Sequence, residues 1–335
     1  MKQQSAAQGG LHSRFLDSLT PTDRTRVFEL SEQVAGKLER WAARYPVIRA
    51  VRVRPLALSI AAAAPFSSVE ALVSTGRVSL WVFTLDDLFD EECESTDDLL
   101  HRADAYRAIA ANQLTLHSGD SLAKALRDAR DDLARYPLFS SLEREWVGAL
   151  TKTIDGMVRE HQWRQDDRHQ RADRLPSYEA YLANGRFSIG GPPHVWSAVI
   201  ATNDPSTPDH LDHLRVMERI ASTCIRLAND LRSADKEIAE EKVNSLVLLS
   251  LPTREAGLTR AEAAERPMAR IRRDVAHGLS ELDDLLAHAP TLTGQPEAAI
   301  AGIARFVCEF YTRYDYHTFD IPPLPLASAS SRKGI

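Results

Sequence analysis

Apolar residues return every three to four positions through most of the chain, interrupted by short clusters of Gly, Pro, Asn, Asp and Ser. That period predicts helices at about 14–43, 56–74, 77–92, 98–116, 119–135, 139–165, 176–189, 193–202, 208–239, 242–251, 259–288 and 296–317. The breaks have chemical causes. Asn203-Asp204-Pro205-Ser206-Thr207-Pro208-Asp209 is dense in turn formers, and Gly190-Gly191-Pro192-Pro193 must end whatever helix carries Arg186. The run 164–174 alternates charges with polar residues and reads as a solvated loop between helices. No repeat of 20–50 residues is present, which excludes a solenoid.

Composition narrows the class. A chain of 335 residues has room for one large domain or two ordinary ones, and only 15 Gly and 17 Pro favour long helices over many short strands. No composition shift marks a boundary, so the expected architecture is all-α, one helical domain over 13–322 with disordered tails at 1–12 and 323–335. The net charge of -6 has both signs interleaved, which argues against nucleic acid as a partner. Cys93, Cys224 and Cys308 are far apart and odd in number, as expected of reduced thiols in the cytoplasm. Neither a signal-peptide core nor an apolar stretch of membrane-spanning length is evident, and no membrane span is expected.

The first concentration of chemistry is Asp86-Asp87-Leu88-Phe89-Asp90, at the end of an apolar helix. On a regular helix Asp86 and Asp90 share a face one turn apart, while Asp87 lies about 100° round. Such oxygens suit Mg²⁺, which takes few carboxylates and completes its shell with water and phosphate. Isolated, such a cluster is more often a solvated helix end.

A second constellation changes the balance. Asn229, Ser233 and Glu237 fall four residues apart, placing an amide oxygen, a hydroxyl and a carboxylate on one stripe. The stripe supplies one formal charge, so a cation held there needs an anionic ligand as well. Lys236 beside it suits that anion as a point charge.

Together, in this order and in a helical chain of this length, the two stretches resemble the aspartate-rich and second metal motifs of class I terpene synthases (terpene cyclases), bacterial type. The resemblance covers about residues 60–320. It implies a helical bundle around a central cavity, Mg²⁺ (three ions) held by Asp86, Asp90, Asn229, Ser233 and Glu237, with Asp87 in the catalytic group. It further implies that Arg186, Lys236, Arg313 and Tyr314 bind diphosphate and that Ile189 and Gly190 present a backbone carbonyl at the helix break. Phe66, Phe83, Phe187, Trp196, Phe306 and Phe310 are the candidate cavity aromatics, each able to steady a carbocation by about 0.5–2 kcal/mol.

The implied reaction is ionisation of a prenyl diphosphate, with release of diphosphate and a terpene hydrocarbon or alcohol. The chain lacks the early Asn-Pro element followed by Trp that many bacterial sesquiterpene cyclases carry, which leans the substrate towards geranylgeranyl or copalyl-type diphosphate, with farnesyl diphosphate as the alternative. A homodimer is a candidate assembly. A chain-elongating prenyl synthase needs a second aspartate-rich motif, and at Asp283-Asp284 the third position is Ala287. A class II cyclase needs Asp-x-Asp-Asp, which Asp128-Ala129-Arg130-Asp131-Asp132 misses. A non-catalytic helical interaction protein would explain the amphipathic helices without the metal stripes. His210 and His213 read as surface residues.

Overall fold

The computed structural model describes residues 13–92, 95–113, 119–168, 175–239, 243–255 and 260–316. The expected tails, Cys93 and part of the charge run lie outside them. Among the described residues there is no strand, and the architecture is all-α.

A short helix, α1 (Arg14–Ser18), and a long one, α2 (Pro21–Ala42), replace the single helix expected at 14–43. The break has a local cause: the Thr20 hydroxyl accepts from the Asp23 amide at 3.1 Å, and Pro21, with no N–H to lose, opens the next helix. α3 (Val53–Ala63) and α4 (Val69–Asp87) correct the expected division at 75–76. The chain turns instead at Ala64-Pro65, where Pro cannot donate to the helix ladder, and Ser68 caps α4 by accepting from the Ala71 amide at 3.2 Å. Gly76 therefore lies inside α4. A Cβ there would sit 2.7 Å from a Leu38 methyl, so the glycine permits close packing of α4 on α2 rather than a break.

The order continues with α5 (Thr96–Ala110), α6 (Ser121–Leu133), α7 (Phe139–Arg168), α8 (Tyr178–Ser188), α9 (Gly191–Thr202) and α10 (Leu211–Ala239). α11 (Ser245–Glu255), α12 (Arg260–Ala287) and α13 (Gln295–Phe310) complete it. α7 runs five residues into the charge run expected to be a loop, and Arg164 there pairs with Asp90.

α4 is apolar all round because it is central, packing on α2, α3, α6 and α9. α10 is two-sided. Leu227 and Ala234 on its back join Leu246 of α11 and Ile271 of α12 in a separate core cluster, each buried Leu or Ile contributing about 1.5–3 kcal/mol. That packing turns the Asn229 stripe inward. α13 approaches α3 closely, and a Cβ on Gly302 would collide with the Ala63 carbonyl. No described helix is long and apolar enough to cross a membrane.

Candidate active site

A cavity of about 710 Å³ lies between α3, α4, α7, α10 and α13, within the range of small-molecule sites. Each helix supplies one helical face. α4 gives Ser79, Val82, Phe83, Asp86 and Asp87, and the turn after it Asp90; α7 gives Met157, Glu160, Trp163 and Arg164. α10 gives Asn229, Ser233 and Glu237 with Arg226, Arg232 and Lys236, and α13 gives Ile303 and Val307, followed by Tyr311, Asp315 and Tyr316. The two oxygen-rich motifs, 143 residues apart in sequence, thus line one cavity.

α4 does not continue to Asp90 as a regular helix. Residues Leu88–Glu92 form a π-helical turn, a wider turn often found at functional sites. Asp90 from this turn pairs with Arg164 of α7. Asp86 stays within the wall, where burial first, then the charges of Asp90, Glu160 and Asp87, push its carboxyl up to about 8. So much negative charge in one buried place is what a divalent cation relieves. Among the described residues no three His, Cys, Asp or Glu side chains converge as a ready cation cage, so a cation here would need amide, hydroxyl and ligand oxygens as well.

Asp87 has another partner. Its carboxylate receives Arg52 at 2.5 Å and Arg49 at 3.3 Å, so Asp87 reaches the cavity wall already ion-paired, about 100° round the helix from Asp86. On α10, Ser233 donates to the Asn229 carbonyl at 2.9 Å and Asn244 donates to Glu237 at 2.6 Å. Burial, then Asp230, raises the Glu237 carboxyl.

The break between α8 and α9 reaches the cavity through Ser188, Ile189, Gly190 and Gly191. Gly190 has φ +76°, and a Cβ would meet Val82 at 2.3 Å; only glycine fits. The Phe187 carbonyl is held by Thr153 at 3.0 Å and Ser188 donates to Glu160 at 2.6 Å, so α7 fixes the break.

Several expected residues are not brought to the cavity. Arg186 stacks on Phe187, 4.1 Å from the ring centre, and burial lowers its pKa while nearby Glu218 favours its charge. Arg313 is exposed and Tyr314 packs on Phe310 with ring centres 5.4 Å apart, in the turn that follows the end of α13 at Phe310. Of the six aromatics only Phe83 lines the cavity. Trp196, Phe306 and Phe310 are buried in the core, Phe66 packs against it, and Phe187 lies beneath Lys152 and Arg186.

The aromatics actually present are Trp163, Tyr311 and Tyr316 besides Phe83, with Phe83 and Tyr316 5.3 Å apart. Helical stripes could have found some of them: Ile303, Val307 and Tyr311 are four residues apart, as are Glu160 and Arg164. Arg226 was also missed. It is buried between Glu160 at 3.2 Å and Asp230 at 2.9 Å, and although burial opposes its charge, those two carboxylates keep it protonated. His210 and His213, expected at the surface, are half-buried, and Asp283 pairs with Arg305 away from the cavity.

A family model, terpene synthase family 2, C-terminal metal binding, matches residues 77–277 and so takes in both oxygen-rich motifs and the helix break. The chain belongs to this family. An ent-13-epi-manoyl oxide synthase of Salvia miltiorrhiza is 23% identical over 246 residues, 69% of this chain and 29% of that protein. A kaurene synthase-like protein of Isodon rubescens is 22% identical over 280 residues, 79% of this chain and 36% of that protein. This terpene synthase family chain thus spans about a third of the length of the curated relatives it matches.

Solved structures share the fold. The 2-methylisoborneol synthase from Streptomyces coelicolor A3(2), in complex with Mg²⁺ and geranyl-S-thiolodiphosphate, superposes with TM-score 0.67 at 16% identity, covering 91% of this chain and 97% of that one. A linalool/nerolidol synthase from Streptomyces clavuligerus bound to 2-fluorogeranyl diphosphate gives TM-score 0.63 at 18% identity, over 84% and 94% of the two chains.

Proposed function

We propose that this protein is a class I terpene cyclase, with one catalytic domain over 13–322, that ionises a prenyl diphosphate and releases diphosphate with a terpene hydrocarbon or alcohol. The observation that carries the reading is the meeting of Asp86 and Asp90 with Asn229, Ser233 and Glu237 on one cavity, whose other walls include the apolar side chains Leu56, Val82, Phe83, Met157, Ile303 and Val307.

Asp86 and Asp90 on one side, and Asn229, Ser233 and Glu237 on the other, would hold three Mg²⁺ ions. Bound there, the metal supplies positive charge to the departing diphosphate. Lys236 and Arg232, both on the cavity rim, and Arg164 on α7 add donors for phosphate oxygens. Ile189 and Gly190 bring polar backbone to the apolar wall beside Val82. Phe83, Trp163, Tyr311 and Tyr316 add aromatic faces to the cavity wall, which steady positive charge on the hydrocarbon. The protein offers no nucleophile because the substrate's own double bonds do the bonding; the walls set the fold of the chain.

The substrate is a C20 diphosphate, geranylgeranyl or copalyl-type. The support is that the curated relatives, such as the ent-isokaur-15-ene synthase of Oryza sativa subsp. indica, carry the names of diterpene synthases. The enzyme works in the cytoplasm, which fits buried Cys224 and Cys308 standing as free thiols. The test is incubation with Mg²⁺ and geranyl, farnesyl, geranylgeranyl or copalyl diphosphate, with products read by mass. Terpenes from a C20 substrate support the reading; turnover of farnesyl diphosphate alone moves it to a sesquiterpene synthase, and longer diphosphates on adding isopentenyl diphosphate would make it an elongating enzyme.

A further inference from the structure

The cavity holds one imidazole that the ionisation step does not use. His194 lies one turn into α9, lines the cavity, and hydrogen-bonds through Nδ1 to the Ser79 hydroxyl. Ser79 is seven residues before Asp86 on the same face of α4, so it lies two turns, about 10 Å, deeper than the metal-binding end. The imidazole is therefore at the hydrocarbon end, beside Val82, Leu56 and Ile303, where the terminal part of a substrate held by its diphosphate must come to rest.

The Thr75 carbonyl gives the Ser79 proton an acceptor other than the imidazole, and that arrangement leaves one ring nitrogen to carry the lone pair. The single hydroxyl proton of Ser79 is directed at the Thr75 carbonyl, 3.0 Å away in the preceding helical turn. With the proton placed there, the oxygen accepts and Nδ1 donates. Nε2 is the basic nitrogen. It has no hydrogen-bond partner among the described residues, and the residue lines both the cavity and a small adjoining pocket with Thr75, Ala198 and Ile303.

We propose that His194 is the base that ends the reaction, taking a proton from the carbon next to the final cationic centre, and that Ser79 is the positioning residue that sets its tautomer. This rests on the cyclase reading above. In the step the C–H electron pair becomes the π bond of the product, the proton goes to Nε2, and imidazole becomes imidazolium. The proton then passes to the released diphosphate, which restores the enzyme. Burial supports both halves of the cycle: it lowers the His194 pKa to about 4, so the ring is neutral and ready before the step and gives the proton up readily after it. A carbocation is acidic enough to protonate so weak a base.

The proposal makes the main product an olefin. With Mg²⁺ and geranylgeranyl or copalyl diphosphate, His194→Gln retains an amide able to donate to Ser79 but loses the base. The wild-type olefin should fall at least tenfold per diphosphate released, replaced by alcohols or by olefins from other cations. Ser79→Ala should move the product ratio in the same direction by a smaller factor, with circular dichroism and melting temperature as controls for folding; if His194→Gln does not fold, Ser79→Ala decides. An unchanged product per diphosphate overturns the proposal. So does a wild-type alcohol that becomes an olefin in His194→Gln, which would make the imidazole a holder of nucleophilic water. Failure of the wild type to release diphosphate from any substrate would overturn the cyclase reading itself, and this proposal with it.

Discussion

Arg226 and Asp230 lie one turn apart on α10 and pair at 2.9 Å inside the protein, although Asp230 directly follows Asn229, which lines the cavity. Asp230 also accepts from Tyr181 at 3.0 Å and from Ser245, so it ties α8 and the start of α11 to the helix that carries the Asn229 stripe. Asp230→Ala leaves Arg226 buried with Glu160 as its remaining carboxylate. Loss of one partner of such a pair costs about 3–5 kcal/mol. The expected result is a large drop in the urea midpoint, measured by circular dichroism.

Gly190→Ala meets two penalties. The positive φ costs a residue with a Cβ about 1–2 kcal/mol, and the collision with Val82 adds a packing cost of about 1–3 kcal/mol. Combining it with Val82→Ala should recover the second part and leave the first. Chemical denaturation of the two single variants and the double variant checks this.

The loop at 203–207 carries a pH signature of stability. Asp204 is buried and, against the cost of that burial, the amides and hydroxyls of Ser206 and Thr293, all within 3 Å, lower its carboxyl to about 2. The folded form therefore binds this proton less tightly than the unfolded chain, whose Asp titrates near 3.9. The resulting stability, about 2 kcal/mol, is full above that value and lost as pH falls through about 2. Asp204→Asn should be less stable than wild type at pH 6, and the difference should close between pH 4 and pH 2 in urea titrations.

The metal reading predicts a thermal shift. The Asn229 stripe carries only one formal charge, so Mg²⁺ with inorganic diphosphate should raise the melting temperature by several degrees, more than either alone, and EDTA should abolish the rise. Equal shifts from diphosphate with and without Mg²⁺ would contradict it.

The parts of the site legible in sequence are those in which spacing along one helix decides the outcome. Asn229, Ser233 and Glu237 share a face because they are four residues apart, and Gly190-Gly191 had to break a helix. What sequence could not supply was which face of each helix turns inward. Phe306 and Phe310 are each one residue from the Val307–Tyr311 stripe, and that rotation of about 100° sends them into the core. The same rotation commits Asp87 to Arg52 and Arg49. Arg313 and Tyr314 were read as part of the last helix, but α13 stops at Phe310, and in the turn that follows it is Tyr311, Asp315 and Tyr316 that line the cavity. Glu160, Trp163 and Arg226 carry no motif of their own; packing between helices brings them to the wall.

Asp86 tests the central claim most directly. Diphosphate release is measured with Mg²⁺ and geranylgeranyl diphosphate for wild type and Asp86→Ala, with helicity compared by circular dichroism. The account predicts loss of at least 10³-fold in the variant, as for removal of a principal charge-stabilising group, with helicity retained. Release at the wild-type rate from a folded Asp86→Ala protein would contradict it.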